Sequence, residues 1–169
     1  MKNTDPNLFM AEAIRLSIEN VSQRNGGPFG AVVVKNGEVV GRGYNQVTAN
    51  NDPTAHAEVM AIRDACQNLQ TFQLDGCVIY TSCEPCPMCL GTIYWARPDK
   101  LYYGCTKDDA AAIAFDDAFI YEELNVPLNE RKIPMLPLSR VAALKAFELW
   151  ENNIKKISYW FTKEWMRYV

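Results

Sequence analysis

Apolar side chains recur at helical spacing near the start of the chain. Asp5 and Pro6 come just before them, and these residue types favour the N-cap and the first position of a helix. The apolar positions that would share one helix face are Met10, Ile14, Ile18 and Val21. The pattern therefore predicts a helix from Pro6 whose apolar face is formed by these four residues.

The rest of the chain alternates between strand-like and helical patterns. Residues 31–45 read as a β-hairpin that turns at Asn36–Gly37, a pair that tolerates the positive φ angles of a type I′ turn. The remaining predicted elements are a helix from Ala55 to about Gln67, a strand over 77–82, a helix over 85–96 that starts at Pro85, a strand over 100–105, short helices near 109–114 and after Asp117, an edge strand or loop over 133–138, and a last helix from 139 to about 158. Strands that alternate with helices imply a mixed α/β sheet covered on both faces.

Length and charge narrow the class of protein. The 169 residues suit a single domain over 1–169, and the net charge of −3 comes without a basic run that could follow a nucleic-acid backbone. The first ten residues lack the pattern of a secretory signal, and no apolar run reaches membrane-spanning length. We therefore expect a cytoplasmic protein that acts on small molecules, not on nucleic acid or a membrane, with cysteines as thiols or metal ligands.

The stretch TSCEPCPMCL places Cys83, Cys86 and Cys89 at three-residue intervals. The chain's one histidine, His56, lies at the start of another predicted helix, with Glu58 two residues later. If both helices begin at the same sheet edge, His56, Cys86 and Cys89 can reach one ion. Three protein ligands leave a tetrahedral zinc with an open position, which is the catalytic arrangement.

Two other interpretations of these residues remain open. A CxxC pair in a cytosolic α/β protein is also typical of a redox motif. If Cys83 joined the other three residues, the site would be a closed structural zinc. However, H-x-E and P-C-x-x-C together match the signature of zinc-dependent base deaminases, in which the glutamate moves protons and does not bind the metal.

The segments GGPFGAVVVK, NDPTAHAEV, YTSCEPCPMCLG, IYWARP and FDDAFIY extend this match to about Tyr159. The sequence resembles the cytidine and deoxycytidylate deaminase superfamily, and within it the bacterial guanine deaminases. The resemblance implies a three-layer α/β/α fold with a central mixed sheet of five strands. It also implies one Zn²⁺ per chain, held by His56, Cys86 and Cys89, with Cys83 outside the metal's ligands.

The resemblance also implies roles for the residues around the metal. Glu58 and Asp117 would act in catalysis as proton carriers. The residues that match base contacts are Phe29, Asn45, Ala57, Asp117 and Tyr159. From composition alone, Phe29 could be an ordinary core residue, Asn45 a turn residue and Asp117 a helix cap.

The last twenty residues contain an unusual number of aromatic side chains for a terminal tail. They are Trp150, Tyr159, Trp160, Phe161, Trp165 and Tyr168. The resemblance implies a homodimer that exchanges its C-terminal segments, here 150–169, so that a tyrosine matching Tyr159 closes the partner's site. Residues 160–169 extend beyond the expected end of such a chain, which leaves open whether Tyr159 can do so.

These observations predict a zinc-dependent aminohydrolase that converts guanine to xanthine and ammonia. An alternative within the class is a deaminase of guanosine or of another purine-like heterocycle. An alternative of another class is a non-enzymatic protein with a structural zinc. The two classes differ in their need for Glu58.

Overall fold

The computed structural model describes residues 5–159. The four strands in this range are β1 (Gly30–Lys35), β2 (Glu38–Tyr44), β3 (Cys77–Cys83) and β4 (Lys100–Cys105). The helices are α1 (Pro6–Ser22), α2 (Val47–Asn50), α3 (Ala57–Leu69), α4 (Pro87–Ala96), α5 (Lys107–Ala111), α6 (Ala118–Asn125) and α7 (Arg140–Glu151). Residues 5–125 form one compact unit and 126–159 a second.

The first unit is built on a mixed sheet in the order β2-β1-β3-β4. β1 pairs antiparallel with both β2 and β3, whereas β3 and β4 are parallel. The predicted mixed sheet is confirmed, but the predicted number of five strands is wrong for residues 5–159, which contain four. The proline-rich segment 133–138 lies in the second unit without strand structure, because proline cannot donate to a strand ladder.

Two apolar cores lie on opposite faces of this sheet. Ala31 and Val33 of β1 pack with the residues of α3 and α4, while Val32 and Val34 pack with α1. Successive side chains of a strand point to opposite faces, so β1 contributes to both cores. Helices therefore cover the sheet on both sides, and the first unit has the predicted three layers.

Helix α1 begins as predicted but buries a different face. The Asp5 carboxylate accepts a hydrogen bond from the Asn7 backbone N–H at 2.9 Å, which confirms the predicted N-cap. The buried residues of α1 are Phe9, Ala13, Ser17 and Asn20, whereas Ile14, Ile18 and Val21 are exposed. A Cβ on Gly30 would collide with the backbone of α1 at Ala13. This close approach favours the face with small residues over the more apolar one.

The hairpin turn is confirmed, whereas the predicted starts of α3 and α4 and the predicted end of α7 are wrong, and α3 begins at Ala57 instead of Ala55. Asn36 and Gly37 have φ angles of 53° and 79°, as a type I′ turn requires. α4 begins at Pro87, not at Pro85, because Cys86 takes the N-cap position. α7 ends at Glu151 and not near residue 158.

The helix that follows His56 lies unusually close to β2. A Cβ on Gly43 would collide with the Ala57 carbonyl oxygen and the Ala61 nitrogen, so only glycine fits there. This contact fixes the first turn of α3 against the sheet. Among residues 5–159 we find no helix that combines the length and the apolar character needed to cross a bilayer.

Candidate active site

The three predicted metal ligands meet at one point of the structure. The Nδ1 atom of His56 lies 3.5 Å from the sulfur of Cys86 and 3.5 Å from the sulfur of Cys89. All three donor atoms lie within 4.8 Å of one another. Within residues 5–159 this is the one group of at least three histidine, cysteine or acidic side chains so arranged.

The starts of two helices bring these residues together. His56 is the N-cap of α3 and Cys86 is the N-cap of α4, both with extended backbone. The Cys86 sulfur accepts a hydrogen bond from the Cys89 backbone N–H at 3.5 Å. A helix N-terminus stabilises negative charge, so both cysteines lie where a thiolate is favoured.

The two sulfurs differ in how readily they lose a proton. Hydrogen bonds from the Cys89 thiol and from His56 lower the pKa of Cys86 to about 4, although burial opposes this. The same bond to Cys86, together with burial, raises the pKa of Cys89. The hydrogen bond to Cys86 also raises the pKa of His56. Of the two sulfurs, that of Cys86 therefore loses its proton more readily.

The donor set fits a tetrahedral zinc ion. With Zn–S bonds of about 2.3 Å and Zn–N bonds of about 2.0–2.1 Å, the sulfur and nitrogen of a tetrahedral site are about 3.6 Å apart. The two separations of 3.5 Å agree with that spacing. Thiolate and imidazole are also the ligands that zinc prefers.

Glu58 lies beside this cluster and is almost completely buried. Its side chain is 6% exposed, and one carboxylate oxygen, Oε1, accepts a hydrogen bond from the Thr81 hydroxyl at 2.9 Å. Burial raises the pKa of Glu58, while its own backbone N–H and the Thr81 hydroxyl lower it. A carboxylate in such a place holds a proton more readily than one in water, which suits a group that accepts and returns protons.

A cavity of about 440 Å³ opens over the cluster. Its lining includes Phe29, Asn45, His56, Glu58, Cys86 and Asp117. Ala57, fully buried in the first turn of α3, does not line the cavity formed by the described residues. The cavity thus brings together most of the predicted site residues of the first unit.

Two aromatic rings meet on one side of the cavity. Phe29 packs edge-to-face against Phe115, with ring centroids 5.0 Å apart and an interplanar angle of 87°. Both residues line the cavity. They form an apolar wall against which a flat heterocycle can lie.

Asn45 is buried, and its acceptor is already occupied. Its Oδ1 accepts hydrogen bonds from the backbone N–H groups of Gly27 at 3.2 Å and Val47 at 3.3 Å. Within residues 5–159 the two donors of its NH₂ group have no acceptor, so they remain for the cavity that Asn45 lines. The loop at Gly27 therefore determines which end of the amide a bound molecule would meet.

The adjacent carboxylates Asp116 and Asp117 have different surroundings. Asp116 accepts a hydrogen bond from the Ala118 backbone N–H at 2.9 Å at the start of α6, so the capping contact belongs to Asp116. Burial, and then the charge on Cys86, raise the pKa of Asp117. Both border the cavity, and Asp117 is the more buried of the two.

Cys83 is not part of the donor cluster, and Tyr159 is described only within its own unit. Cys83 is buried at the end of β3, where its sulfur lies 3.5 Å from the Thr106 carbonyl oxygen, and burial raises the pKa of Cys83 to about 11. Tyr159 belongs to the second unit, where its ring packs edge-to-face on Trp150 at 6.2 Å. The predicted tail aromatics Trp160, Phe161, Trp165 and Tyr168 lie outside the described residues.

Sequence reasoning missed two residues of this site. Phe115 lies in the FDDAFIY segment, but the pattern gave no reason to pair it with Phe29 across 86 residues. Thr81 is the other missed residue. The signal that could have revealed it is a polar side chain on a face of the strand that is otherwise apolar. Such a residue needs a buried partner.

Comparison with known proteins identifies the family. Residues 3–105 match the cytidine and deoxycytidylate deaminase zinc-binding region. The chain belongs to this family of deaminases.

Individual relatives show which deaminases this chain is similar to. The chain is 52% identical over 151 residues to the guanine deaminase of Bacillus subtilis, covering 89% of this chain and 97% of that protein. The crystal structure of guanine deaminase from Bacillus subtilis superposes with a TM-score of 0.90 at 50% identity, covering 93% of this chain and all of that one. A tRNA-specific adenosine deaminase of Aquifex aeolicus is 35% identical over 131 residues, covering 75% of this chain and 84% of that protein.

Proposed function

We propose that this chain is a zinc-dependent hydrolase that deaminates guanine to xanthine and ammonia. The observation that carries the proposal is the 52% identity to a guanine deaminase over almost the whole of both chains. The likeness to the tRNA deaminase covers less of this chain at lower identity. The net charge of −3 also suits a free base better than a polyanion.

We propose one Zn²⁺ per chain, bound by His56, Cys86 and Cys89. Their separations suit a tetrahedral ion that keeps one position open for water. A zinc ion bound there would act as a Lewis acid and lower the pKa of a water molecule towards neutrality. Cys83 stays outside the proposed ligand set, although it too borders the cavity at the end of β3.

Glu58 would move the protons in this reaction. It borders the cavity together with His56 and Cys86. Its carboxylate accepts the proton of the attacking water and donates it to a ring nitrogen of the base. Glu58 would then take the proton that remains on the added oxygen and pass it to the amino group, so that the C–N bond breaks, ammonia leaves and the oxygen stays as the new carbonyl.

The cavity wall would orient the base. The ring of Phe29 offers a flat apolar surface, and the Asn45 NH₂ group can donate to an acceptor atom such as a ring nitrogen or carbonyl oxygen. The Asp117 carboxylate can accept from the N–H groups that guanine presents, and it can carry a proton. Ala57 and Tyr159 complete the proposed set of base contacts, by resemblance alone.

We propose that the active form is a homodimer with exchanged C-terminal segments. No residue of 126–159 is buried, and this range includes large apolar side chains that are mostly exposed, such as Leu136 at 85%, Leu138 at 88% and Ile154 at 98%. Exposed apolar surface of this extent marks an interaction site. Tyr94 and Trp95 of α4 are also exposed in the first unit.

The location we propose is the cytoplasm, where thiol ligands stay reduced.

A panel of substrates tests the proposal directly. Purified, zinc-loaded protein is incubated with guanine, guanosine, adenine, adenosine and cytosine, and released ammonia is measured. We expect guanine to be turned over fastest and xanthine to be the product. Faster turnover of guanosine would show that the nucleoside is the substrate. If no compound releases ammonia, the alternative of a non-enzymatic protein with a structural zinc is favoured.

A further inference from the structure

The Thr81 hydroxyl is a buried polar group on an apolar face of the sheet. Thr81 is 0% exposed, and it follows Cys77 and Ile79 on the face of β3 that packs with α3 and α4. Valine has nearly the same shape and would suit this position without a polar atom to satisfy. A buried hydroxyl is tolerated when it has a hydrogen-bond partner.

That partner is the carboxylate of Glu58. The Thr81 Oγ1 donates to Glu58 Oε1 at 2.9 Å, and both side chains are buried. Glu58 borders the cavity, whereas Thr81 lies behind it, away from the cavity lining. The bond thus engages one carboxylate oxygen, Oε1, from the sheet side.

The sheet holds the donor in a fixed position. Thr81 pairs with Ala31 of β1 on one side and with Tyr103 of β4 on the other, so its backbone lies inside the sheet. The β-branched side chain of threonine has few rotamers. A carboxylate at the start of a helix is freer, because the side chain of Glu58 has three rotatable bonds of its own.

We infer that Thr81 is a positioning residue for Glu58, with a hydroxyl that holds the carboxylate in the orientation needed for proton transfer. This inference rests on the proposed role of Glu58. Thr81 touches neither the base nor the metal ligands in this scheme. Its loss should therefore reduce kcat and leave KM and zinc content nearly unchanged.

Four substitutions test the hydroxyl separately from the methyl group. Thr81→Val replaces the hydroxyl by a methyl group of similar size, and Thr81→Ser keeps the hydroxyl. Thr81→Ala differs from Thr81→Ser by one oxygen atom, so this pair carries the test if the valine variant does not fold. Thr92→Val is the matched control, because the Thr92 hydroxyl donates to the Met88 carbonyl at 3.0 Å within α4.

We expect Thr81→Val to lower kcat about ten- to a hundredfold with KM within about twofold of the unchanged protein. Thr81→Ser should retain most of the rate, Thr81→Ala should fall as far as Thr81→Val, and all variants should hold one zinc per chain. Thr92→Val should have normal kcat. Equal rates for the serine and alanine variants, or a normal kcat in Thr81→Val, would overturn the inference.

Glu58→Gln, measured in parallel, separates this inference from the proposed function. If Glu58→Gln is inactive while Thr81→Val is normal, Glu58 keeps its role and the inference about Thr81 is wrong. If Glu58→Gln retains its activity, the proposed role of Glu58 fails, and the inference fails with it.

Discussion

At the scale of single residues, Glu58 differs from an ordinary surface glutamate in both burial and contacts. It is 6% exposed, adjoins two of the proposed metal ligands in the cavity wall and accepts a hydrogen bond from a fixed hydroxyl. A buried carboxylate whose pKa is raised holds a proton more readily than one in water. This is the property that a residue needs in order to accept a proton and then donate it.

Glu58→Gln should keep zinc and lose turnover. Proton transfer by a positioned group contributes about 10²–10⁴-fold, and an amide cannot take its place. Metal analysis and steady-state kinetics measure the two effects separately. Glu38→Gln makes the same change at an exposed position and should be normal in both. A near-normal rate in Glu58→Gln would remove Glu58 from the proposed mechanism.

Asp117→Asn should impair guanine turnover much more than folding. A carboxylate accepts from two N–H groups, whereas an amide presents one acceptor and one donor, so one contact becomes repulsive. An unmatched polar contact in a buried site costs about 1–3 kcal/mol, which corresponds to a rate loss of roughly ten- to a hundredfold. Kinetics with guanine and thermal unfolding compare the two effects.

Asp116→Asn is the control for this experiment. Its amide oxygen can still accept from the Ala118 N–H, so its loss of rate should be far smaller than that of Asp117→Asn. If the two variants have the same activity, Asp117 is only part of the start of α6.

The sequence predicted the three clustered donor residues, but it did not predict which residues from other elements contact the rest of the site. His56, Cys86 and Cys89 could be found because their spacing within two short motifs is tied to the chemistry of a metal. Thr81 and Phe115 could not, because each acts through a partner that is distant along the chain. No periodicity in one strand reveals which residue of another element its side chain will contact.

At the scale of elements, the site depends on two helices that start next to each other. Cys86 and Cys89 belong to the N-cap and first turn of α4, while Cys83 ends the preceding strand. The change from strand to helix separates the third thiol from the other two. Consequently, the overlapping CxxC pairs are not equivalent in the structure.

Cys86→Ser and Cys89→Ser should each lose zinc, and Cys83→Ser should keep one ion per chain. A serine hydroxyl is a much poorer ligand for zinc than a thiolate. Metal analysis of the three purified variants decides the matter. Loss of zinc in Cys83→Ser together with retention in Cys89→Ser would assign the other pair.

Element types were predicted well, and the packing face of α1 was not. Periodicity located α1, the hairpin and the β3–α4–β4 series, since these have regular apolar spacing. The apolar stripe of Ile14, Ile18 and Val21 nevertheless remained exposed. Close packing against Gly30 requires small side chains, and hydrophobicity alone does not report that requirement.

At the scale of the whole molecule, the described residues separate into a unit that contains the cavity and a second unit without buried residues. A chain segment with so many exposed apolar side chains gains stability when a partner covers them. The prediction of one domain over 1–169, with exchange of 150–169, stays a prediction. The exchange is tested by asking whether the C-terminal segment of one chain covers the active site of another.

Mixing two inactive proteins should restore activity if the segments are exchanged. Glu58→Gln chains have an intact tail, and chains that end before Trp150 have an intact Glu58. A mixed dimer would contain one site with both parts, so ammonia release should reappear after the subunits exchange.

The control mixes Glu58→Gln chains with chains that carry both changes, and it should remain inactive. If subunits demonstrably mix in the first experiment and no activity returns, each tail closes its own site.

The single histidine of the chain also makes the protein its own spectroscopic probe. With imidazole nitrogen-15 labelling, every histidine resonance comes from His56, whose Nδ1 faces both sulfurs. In the purified protein, the Nδ1 signal would report metal loading directly. In a dimer, two signals in place of one would reveal that the two sites differ at that moment.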